Sequence, residues 1–165
     1  MGLSQNFSDS SAIIGESGDD SSTLSYSIDP ADARIELVRQ FMAKYQPESP
    51  LLPFAENIVT ESDAHGIDYR LIPAIAMCES NLGVRIPSKD SYNAWGIAVY
   101  TGTQSGRKFS GWPDAIVWVA GYLQSYAQKG LTKLTDIGAI WAPPSVNTGH
   151  SWAKCVSLYQ DQIAL

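Results

Sequence analysis

Beyond residue 28, apolar residues recur at the three- and four-residue spacing that is typical of amphipathic helices. The first such pattern follows Asp29 and Pro30, an aspartate suited to cap a helix and a proline suited to its first position. Its apolar positions are Ile35, Val38, Phe41, Met42 and Tyr45. Pro47 and Pro50 follow soon after, so a helix is predicted from residue 29 to about residue 45.

Five more helices are predicted from the same spacing. The second ends before Gly66, because glycine readily adopts the left-handed conformation that closes a helix. Asp68 can cap the third, and Pro73 lies in its first turns, where a proline is tolerated. These helices are predicted over residues 52–65, 68–79, 112–130, 134–140 and 151–163.

Residues 81–111 have a different character, because glycine and serine are frequent there and the helical spacing is lost. Residues 93–99 and 107–109 flank a turn-rich stretch at 101–106, a pattern that predicts a loop and a short hairpin. The predicted fold class is therefore mainly α, with one small β-hairpin.

The first 28 residues differ from the rest in composition. They contain nine serines, four of the 17 acidic residues and none of the 11 basic ones. Such a segment cannot bury enough apolar surface to offset the entropy of ordering it, so residues 1–28 are predicted to be a flexible Ser/Asp-rich tether and residues 29–165 a single domain. The net charge of −6 falls largely on the tether. The domain has no basic stripe, which argues against nucleic acid as a partner.

No apolar run is long enough to cross a membrane, and no basic segment followed by an apolar stretch marks a signal peptide. The protein is then either cytoplasmic, or the sequence begins after a removed signal or anchor.

Cys78 and Cys155 leave two alternatives open: one disulfide, if the last helix packs on the helix of Glu79, or two buried free thiols. Because there is no Cys-x-x-Cys motif and both histidines are distant from the cysteines in sequence, no metal site is predicted. We expect no cofactor, and a monomer.

Glu79 is the most informative residue, because it ends an otherwise uncharged run that begins at Leu71. A carboxylic acid held among apolar neighbours resists ionisation, since a charge there is poorly hydrated. Near neutral pH such an acid can still donate a proton, which is what cleavage of a glycosidic bond requires. The alternative is an ordinary glutamate near a helix end, before the stop at Gly83.

Four segments with aromatic, amide or hydroxyl side chains could converge on Glu79. They are residues 79–81, 91–96, 109–114 and 141–145. Such a mixture suits a cleft for carbohydrate, because sugar rings stack on aromatic faces while amides bind hydroxyl and N-acetyl groups. The alternative is that Trp95, Trp112 and Trp141 fill the core between helices.

These segments also carry recognisable motifs. The motifs are Ala74-Ile75-x-x-x-Glu79-Ser80-Asn81-x-Gly83, Tyr92-Asn93-Ala94-Trp95-Gly96, Phe109-x-x-Trp112 and Ala142-Pro143-Pro144-Ser145. In order and spacing, over about residues 32–160, they resemble bacterial cell-wall endo-β-N-acetylglucosaminidases of the glycoside hydrolase family 73 type. These enzymes belong to the lysozyme-like superfamily, together with goose-type lysozymes and lytic transglycosylases. The resemblance implies a lysozyme-like helical domain that cleaves β-1,4 bonds in the GlcNAc–MurNAc glycan of peptidoglycan, outside the cell or in its envelope, with Glu79 as general acid.

The resemblance also implies that polar and aromatic residues of these motifs bind the substrate. They are Ser80, Asn81, Tyr92, Asn93, Trp95, Trp112 and Trp141. The family often has a tyrosine near the active site in its last motif, where this chain has Trp141 instead. Tyr92 or Tyr100 could take over the role of that tyrosine.

A second carboxylate is harder to assign, although glycoside hydrolysis usually uses two. Asp90, in the loop at residues 87–91, is the best candidate for a base that activates water. Asp114 is weaker, because an acid in the first turn of a helix is favoured by the helix dipole alone. Related enzymes often use one acid, with the substrate's N-acetyl group as nucleophile or its 6-hydroxyl closing an anhydro ring.

Three functions therefore compete. The first is a peptidoglycan hydrolase of the glucosaminidase type, and the second a lytic transglycosylase or muramidase on the same fold. The third is a non-catalytic module that binds glycan; Trp141 in place of tyrosine and the missing base favour it, whereas Glu79 argues against it.

Overall fold

The described residues fold into α-helices joined by 3₁₀ turns and irregular segments. The computed structural model describes residues 29–99 and 106–163, so the predicted tether at 1–28 lies outside the described residues. The helices are α1 (Pro30–Tyr45), α2 (Ala55–Ala64), α3 (Leu71–Ser80), α4 (Trp112–Gln128), α5 (Leu134–Trp141) and α6 (Ser151–Asp161), with 3₁₀ turns at Leu52–Phe54 and Pro143–Thr148. The mainly α class is confirmed. Within the part of the chain that the structure describes, no helix is both long and apolar enough to span a membrane.

Helix α3 lies at the centre of the domain and packs against α2, α4 and α6. Its residues 72–76 are all buried, as expected for a helix that is apolar all round. Asn81 closes it in the left-handed conformation, at φ 53°, and donates its backbone N–H to Met77 O. This geometry turns the chain sharply just after Glu79, so the acid lies where the chain leaves α3.

A disulfide between Cys78 and Cys155 joins α3 to α6. Of the two alternatives left open by the sequence, the structure therefore has the cross-link, and both cysteines are used. Because Cys78 precedes Glu79 directly, the disulfide holds α6 beside the helix end that carries the acid.

The predicted β-hairpin is wrong for the described residues, since neither 93–99 nor 107–109 forms a strand. The two segments do approach each other, and Arg107 N donates to Ile97 O over 2.9 Å. The side-chain amide of Asn93 takes the place of further ladder bonds, donating to Ile97 O (2.8 Å) and Arg107 O (3.1 Å) and accepting from Ile97 N (3.0 Å). A side chain that bonds nearby backbone in this way competes with regular pairing.

Candidate active site

A cleft of about 940 Å³ opens at the C-terminal end of α3. One wall is the loop that follows α3, and the other combines Tyr122 of α4 with the end of α5 and the prolines after it. Four predicted site residues line this cleft: Glu79, Ser80, Asn93 and Trp141. The volume suits a ligand of several hundred cubic ångströms, such as a short stretch of glycan.

Glu79 is held in this cleft by a partner from the last helix. Trp152 of α6 is buried and donates its indole N–H to Glu79 Oε1 over 2.8 Å. Burial raises the pKa of Glu79 above its usual range, while the hydrogen bond from Trp152, which favours the ionised form, opposes part of that rise. The carboxyl group is thereby suited to hold a proton at a higher pH than an exposed glutamate.

The second carboxyl oxygen, Glu79 Oε2, faces Gly96. A Cβ atom placed on Gly96 would lie 2.8 Å from Oε2, closer than real Cβ contacts come. Gly96 also has φ +68°, in the left-handed region that favours glycine. Two independent requirements therefore select glycine next to the acid, one from the backbone and one from the carboxyl group.

Replacing Gly96 with alanine should separate these two requirements. We expect Gly96→Ala to lose about 1 kcal/mol of stability from its left-handed backbone. It should also lose activity about tenfold to a hundredfold, because the new methyl group displaces the carboxyl group of Glu79. The measurements are thermal unfolding and the rate of cleavage of purified cell-wall sacculi, which are the substrate that the sequence motifs imply.

Gly66→Ala is the matched control, because Gly66 has a similar φ of +62° and nothing within 4 Å of the added Cβ. It should show a comparable loss of stability and an unchanged rate. Equal rate losses in the two variants would show that the contact with Glu79 has no catalytic consequence.

An aromatic wall stands beside the acid. Trp141 stacks on Trp152 with ring centroids 5.8 Å apart, and Tyr122 leans against Trp141 at 5.6 Å. The indole N–H of Trp141 donates to Trp95 O over 3.0 Å, which anchors the end of α5 to the loop. Tyr122 was missed in the sequence, although its position four residues from both Trp118 and Tyr126 is a recognisable aromatic stripe on α4.

The other predicted aromatic residues lie behind the cleft. Trp95 is completely buried and donates its indole N–H to Ile72 O over 2.9 Å. It therefore fills the core, which was the alternative to a place in the cleft. Trp112 packs edge-on between Trp95 and Tyr92. None of these three rings lines the cleft. Tyr100 lies outside the described residues.

Ser80, Asn81 and Asn93 shape the loop. Ser80 Oγ lies 2.7 Å from Ala94 O and 3.1 Å from Ala76 O, and it accepts the N–H of Gly83. Asn81 supplies the left-handed turn after α3 and does not line the cleft. Since the amide of Asn93 is also fully bonded to backbone, Ser80 and Asn93 position the walls of the cleft with polar groups that are already paired.

Asp90 lies apart from this arrangement. It is exposed on the surface, bonded to Lys108 Nζ over 2.7 Å, and does not line the cleft. The hydrogen bond from Lys108 lowers its pKa to about 2. A carboxylate of that pKa is a weak base, so the geometry gives no support to its predicted role in activating water, and the role stays a prediction.

Besides Tyr122, the motifs did not single out Trp152, which bonds Glu79, or Arg85, which lines the same cleft. The sequence left the disulfide open, but once Cys78 and Cys155 are paired, Trp152 is a candidate neighbour of Glu79, because a residue one helical turn before Cys155 lies on the same face of α6. Arg85 lines the cleft and is, with Glu79, one of its two charged residues within the described ranges. No group of three or more potential metal ligands occurs among the residues that the structure describes.

A scan of the chain against models of protein families finds no match, and neither do searches among curated proteins and among solved structures.

Proposed function

We propose that the protein is a glycosidase that cleaves β-1,4 bonds in the GlcNAc–MurNAc glycan of peptidoglycan, on a lysozyme-like helical domain. The observation that carries the proposal is the Glu79 carboxyl group, buried in an aromatic cleft with a raised pKa and a fixed orientation. These are the properties of a general acid that protonates a leaving-group oxygen.

Glu79 acts alone in the proposed mechanism. Its proton passes to the glycosidic oxygen, the bond from that oxygen to the anomeric carbon breaks, and the bonding electrons leave with the oxygen. The anomeric carbon is then captured by the N-acetyl oxygen of the same sugar, and water opens that intermediate while the carboxylate of Glu79 takes up the proton that the water loses. Among the residues that the structure describes, no second carboxylate lines the cleft, which supports a nucleophile supplied by the substrate.

The same observation favours a second candidate, a lytic transglycosylase. In that reaction the 6-hydroxyl of the substrate attacks the anomeric carbon, closes an anhydro ring and gives its proton to the carboxylate of Glu79, so no second protein group has to activate water. The two reactions use Glu79 identically at the first step and differ only in what captures the sugar.

Other features agree with peptidoglycan as substrate. Tyr122 and Trp141 line the cleft with aromatic rings, the kind of surface against which sugars pack, and Arg85 offers a cation to the carboxylates of the stem peptides. The disulfide is a cross-link that persists in oxidising compartments, which supports a location outside the cell or in its envelope.

The test is digestion of purified sacculi, followed by mass analysis of the released fragments. Hydrolysis by a glucosaminidase leaves GlcNAc at the new reducing end, hydrolysis by a muramidase leaves MurNAc there, and a transglycosylase leaves an anhydro sugar. Binding to sacculi with no release of fragments would contradict both candidates and leave a glycan-binding module.

Asp90→Asn tests whether a protein base takes part. We expect the variant to keep at least about a third of the wild-type rate, because Asp90 is paired with Lys108 outside the cleft. The measurement is kcat on sacculi, with Asp136→Asn, an exposed acid in the first turn of α5, as control. A loss of about a hundredfold in Asp90→Asn alone would assign the base to Asp90 after all.

A further inference from the structure

The two carboxyl oxygens of Glu79 have different surroundings, one beside Trp152 and the other beside Gly96. Oε1 accepts the indole N–H of Trp152 over 2.8 Å, whereas Oε2 lies beside Gly96, in the space that a side chain at that position would fill. In a neutral carboxyl group one oxygen carries the proton and the other is the better acceptor. The hydrogen bond from Trp152 therefore selects Oε1 as acceptor and Oε2 as the oxygen that carries the proton.

We propose that Trp152 is a positioning residue that makes Oε2 of Glu79 the proton-donating atom and stabilises the carboxylate formed when that proton leaves. The proposal rests on the proposed function, because it concerns the acid of that reaction. As the O–H bond at Oε2 breaks and a new O–H bond forms on the leaving oxygen, negative charge develops on the carboxyl group. The indole N–H already points at this carboxyl group. Its hydrogen bond to Oε1 therefore strengthens as the negative charge grows.

The indole ring of Trp152 is held firmly enough for this role. It stacks on Trp141 with an interplanar angle of 29°, and Gly138 lies so close to it that an added Cβ would come 2.8 Å from Trp152 Cε3. The disulfide at Cys155, one turn further along α6, fixes the helix to α3. Ring and acid thus come from two helices that are covalently joined beside them.

The other charged groups around Glu79 are few, so Trp152 is its main polar partner. Arg85 is the only other charged residue that lines the cleft within the described ranges. From the neighbouring helices, Lys154 and Asp161 of α6 line a separate groove, and Asp114 of α4 accepts the N–H of Ser110. On α2, Glu61 faces His65 and Asp63 pairs with Arg34.

Trp152→Phe tests the proposal, because it keeps an aromatic ring and removes the N–H. Since the hydrogen bond favours the ionised carboxyl group, its loss should raise the pKa of Glu79. This is measured directly by ¹³C NMR titration of the side-chain carboxyl carbons, in which the Glu79 signal is the one absent from Glu79→Gln. Trp118→Phe is the matched control, because its ring contacts Phe109 and Tyr122 rather than Glu79.

The rate on sacculi gives a second measurement. We expect kcat to fall about tenfold to a hundredfold in Trp152→Phe with little change in KM, because orientation and charge stabilisation are lost in the transition state. A general acid is active while protonated, so activity falls as pH rises through its pKa. In the variant this falling limb should move to higher pH, whereas a purely structural role would lower the rate evenly at all pH values.

Gly138→Ala is a second variant for the case in which Trp152→Phe does not fold. The added methyl group displaces the indole ring from its position against Gly138 and so disturbs its hydrogen bond to Glu79, while Trp152 stays in the chain and alanine favours the α5 helix. The pKa of Glu79 should rise here too. An unchanged titration of Glu79 in the folded variants would overturn the proposal. If the wild-type protein releases no fragments from sacculi, the proposed function fails, while the titration still decides the role of Trp152 toward Glu79.

Discussion

Glu79→Gln should abolish cleavage of sacculi while leaving the fold intact. The amide has the shape of the carboxyl group, and its oxygen can still accept the N–H of Trp152, but it has no proton to give. A general acid contributes about 10²–10⁴-fold to such a reaction, so kcat should fall by at least that range. Glu61→Gln, on α2 beside His65, is the control and should keep the wild-type rate.

The same variant makes a prediction about stability. The pKa of Glu79 is raised in the folded protein, mainly by burial, so the fold favours the neutral acid and loses free energy of unfolding as that acid ionises. Glutamine carries no such cost. The advantage of Glu79→Gln in free energy of unfolding should therefore grow as pH rises from the unfolded pKa of glutamate through the folded value, and then level off.

Thermal unfolding at several pH values, together with fragment release from sacculi, checks both effects. Near-normal digestion by Glu79→Gln would end the assignment of Glu79 as the acid. A variant that is clearly less stable than wild type at neutral pH would contradict the predicted gain in free energy of unfolding.

Removal of the disulfide should have the largest effect on stability. Cys78 and Cys155 are separated by 77 residues, and a cross-link that closes a loop of this length stabilises a protein by about 4 kcal/mol through the entropy of the unfolded chain. The double variant Cys78→Ser, Cys155→Ser should therefore unfold roughly 10–20 °C below wild type. Reduction of the wild-type protein by a dithiol should produce the same shift.

The double variant supplies its own control, because no other cysteine remains and the dithiol should leave its unfolding temperature unchanged. We also expect its activity below its own unfolding temperature to be reduced, since the disulfide lies next to Glu79 and one turn from Trp152. An unfolding temperature that does not respond to reduction or to the serine pair would contradict a stabilising cross-link.

The helices could be predicted because their causes are local. The three- and four-residue spacing of apolar side chains and helix breakers such as Pro47 and Gly66 take effect within a few residues. Helix α1 accordingly extends to Tyr45, as expected. Asp68 was predicted to cap α3, yet it binds the backbone and guanidinium of Arg70 instead, and the helix begins only at Leu71. The start of a helix thus depends partly on which side chain accepts the backbone N–H groups of its first turn, and the sequence alone does not show this.

The prediction of a hairpin was wrong because a side chain competes for backbone hydrogen bonds there too. Glycine and turn residues predicted that the chain reverses there, and the contact between Arg107 and Ile97 shows that its two segments do come together. The spacing could not show that Asn93 would bond the backbone groups needed for a ladder. Which polar group satisfies a backbone N–H depends on distances that no local pattern contains.

By itself, the sequence determined a mainly helical domain and one carboxylic acid at the end of an apolar helix, because both follow from neighbours within a few positions. Only the tertiary structure decided that Trp95 fills the core and that Asp90 stays on the surface. It also decided which groups surround the acid, since the bond from Trp152 to Glu79 joins residues 73 positions apart. Burial and hydrogen bonding set the pKa of a carboxyl group, and both depend on side chains that only the packing of α6 on α3 brings together.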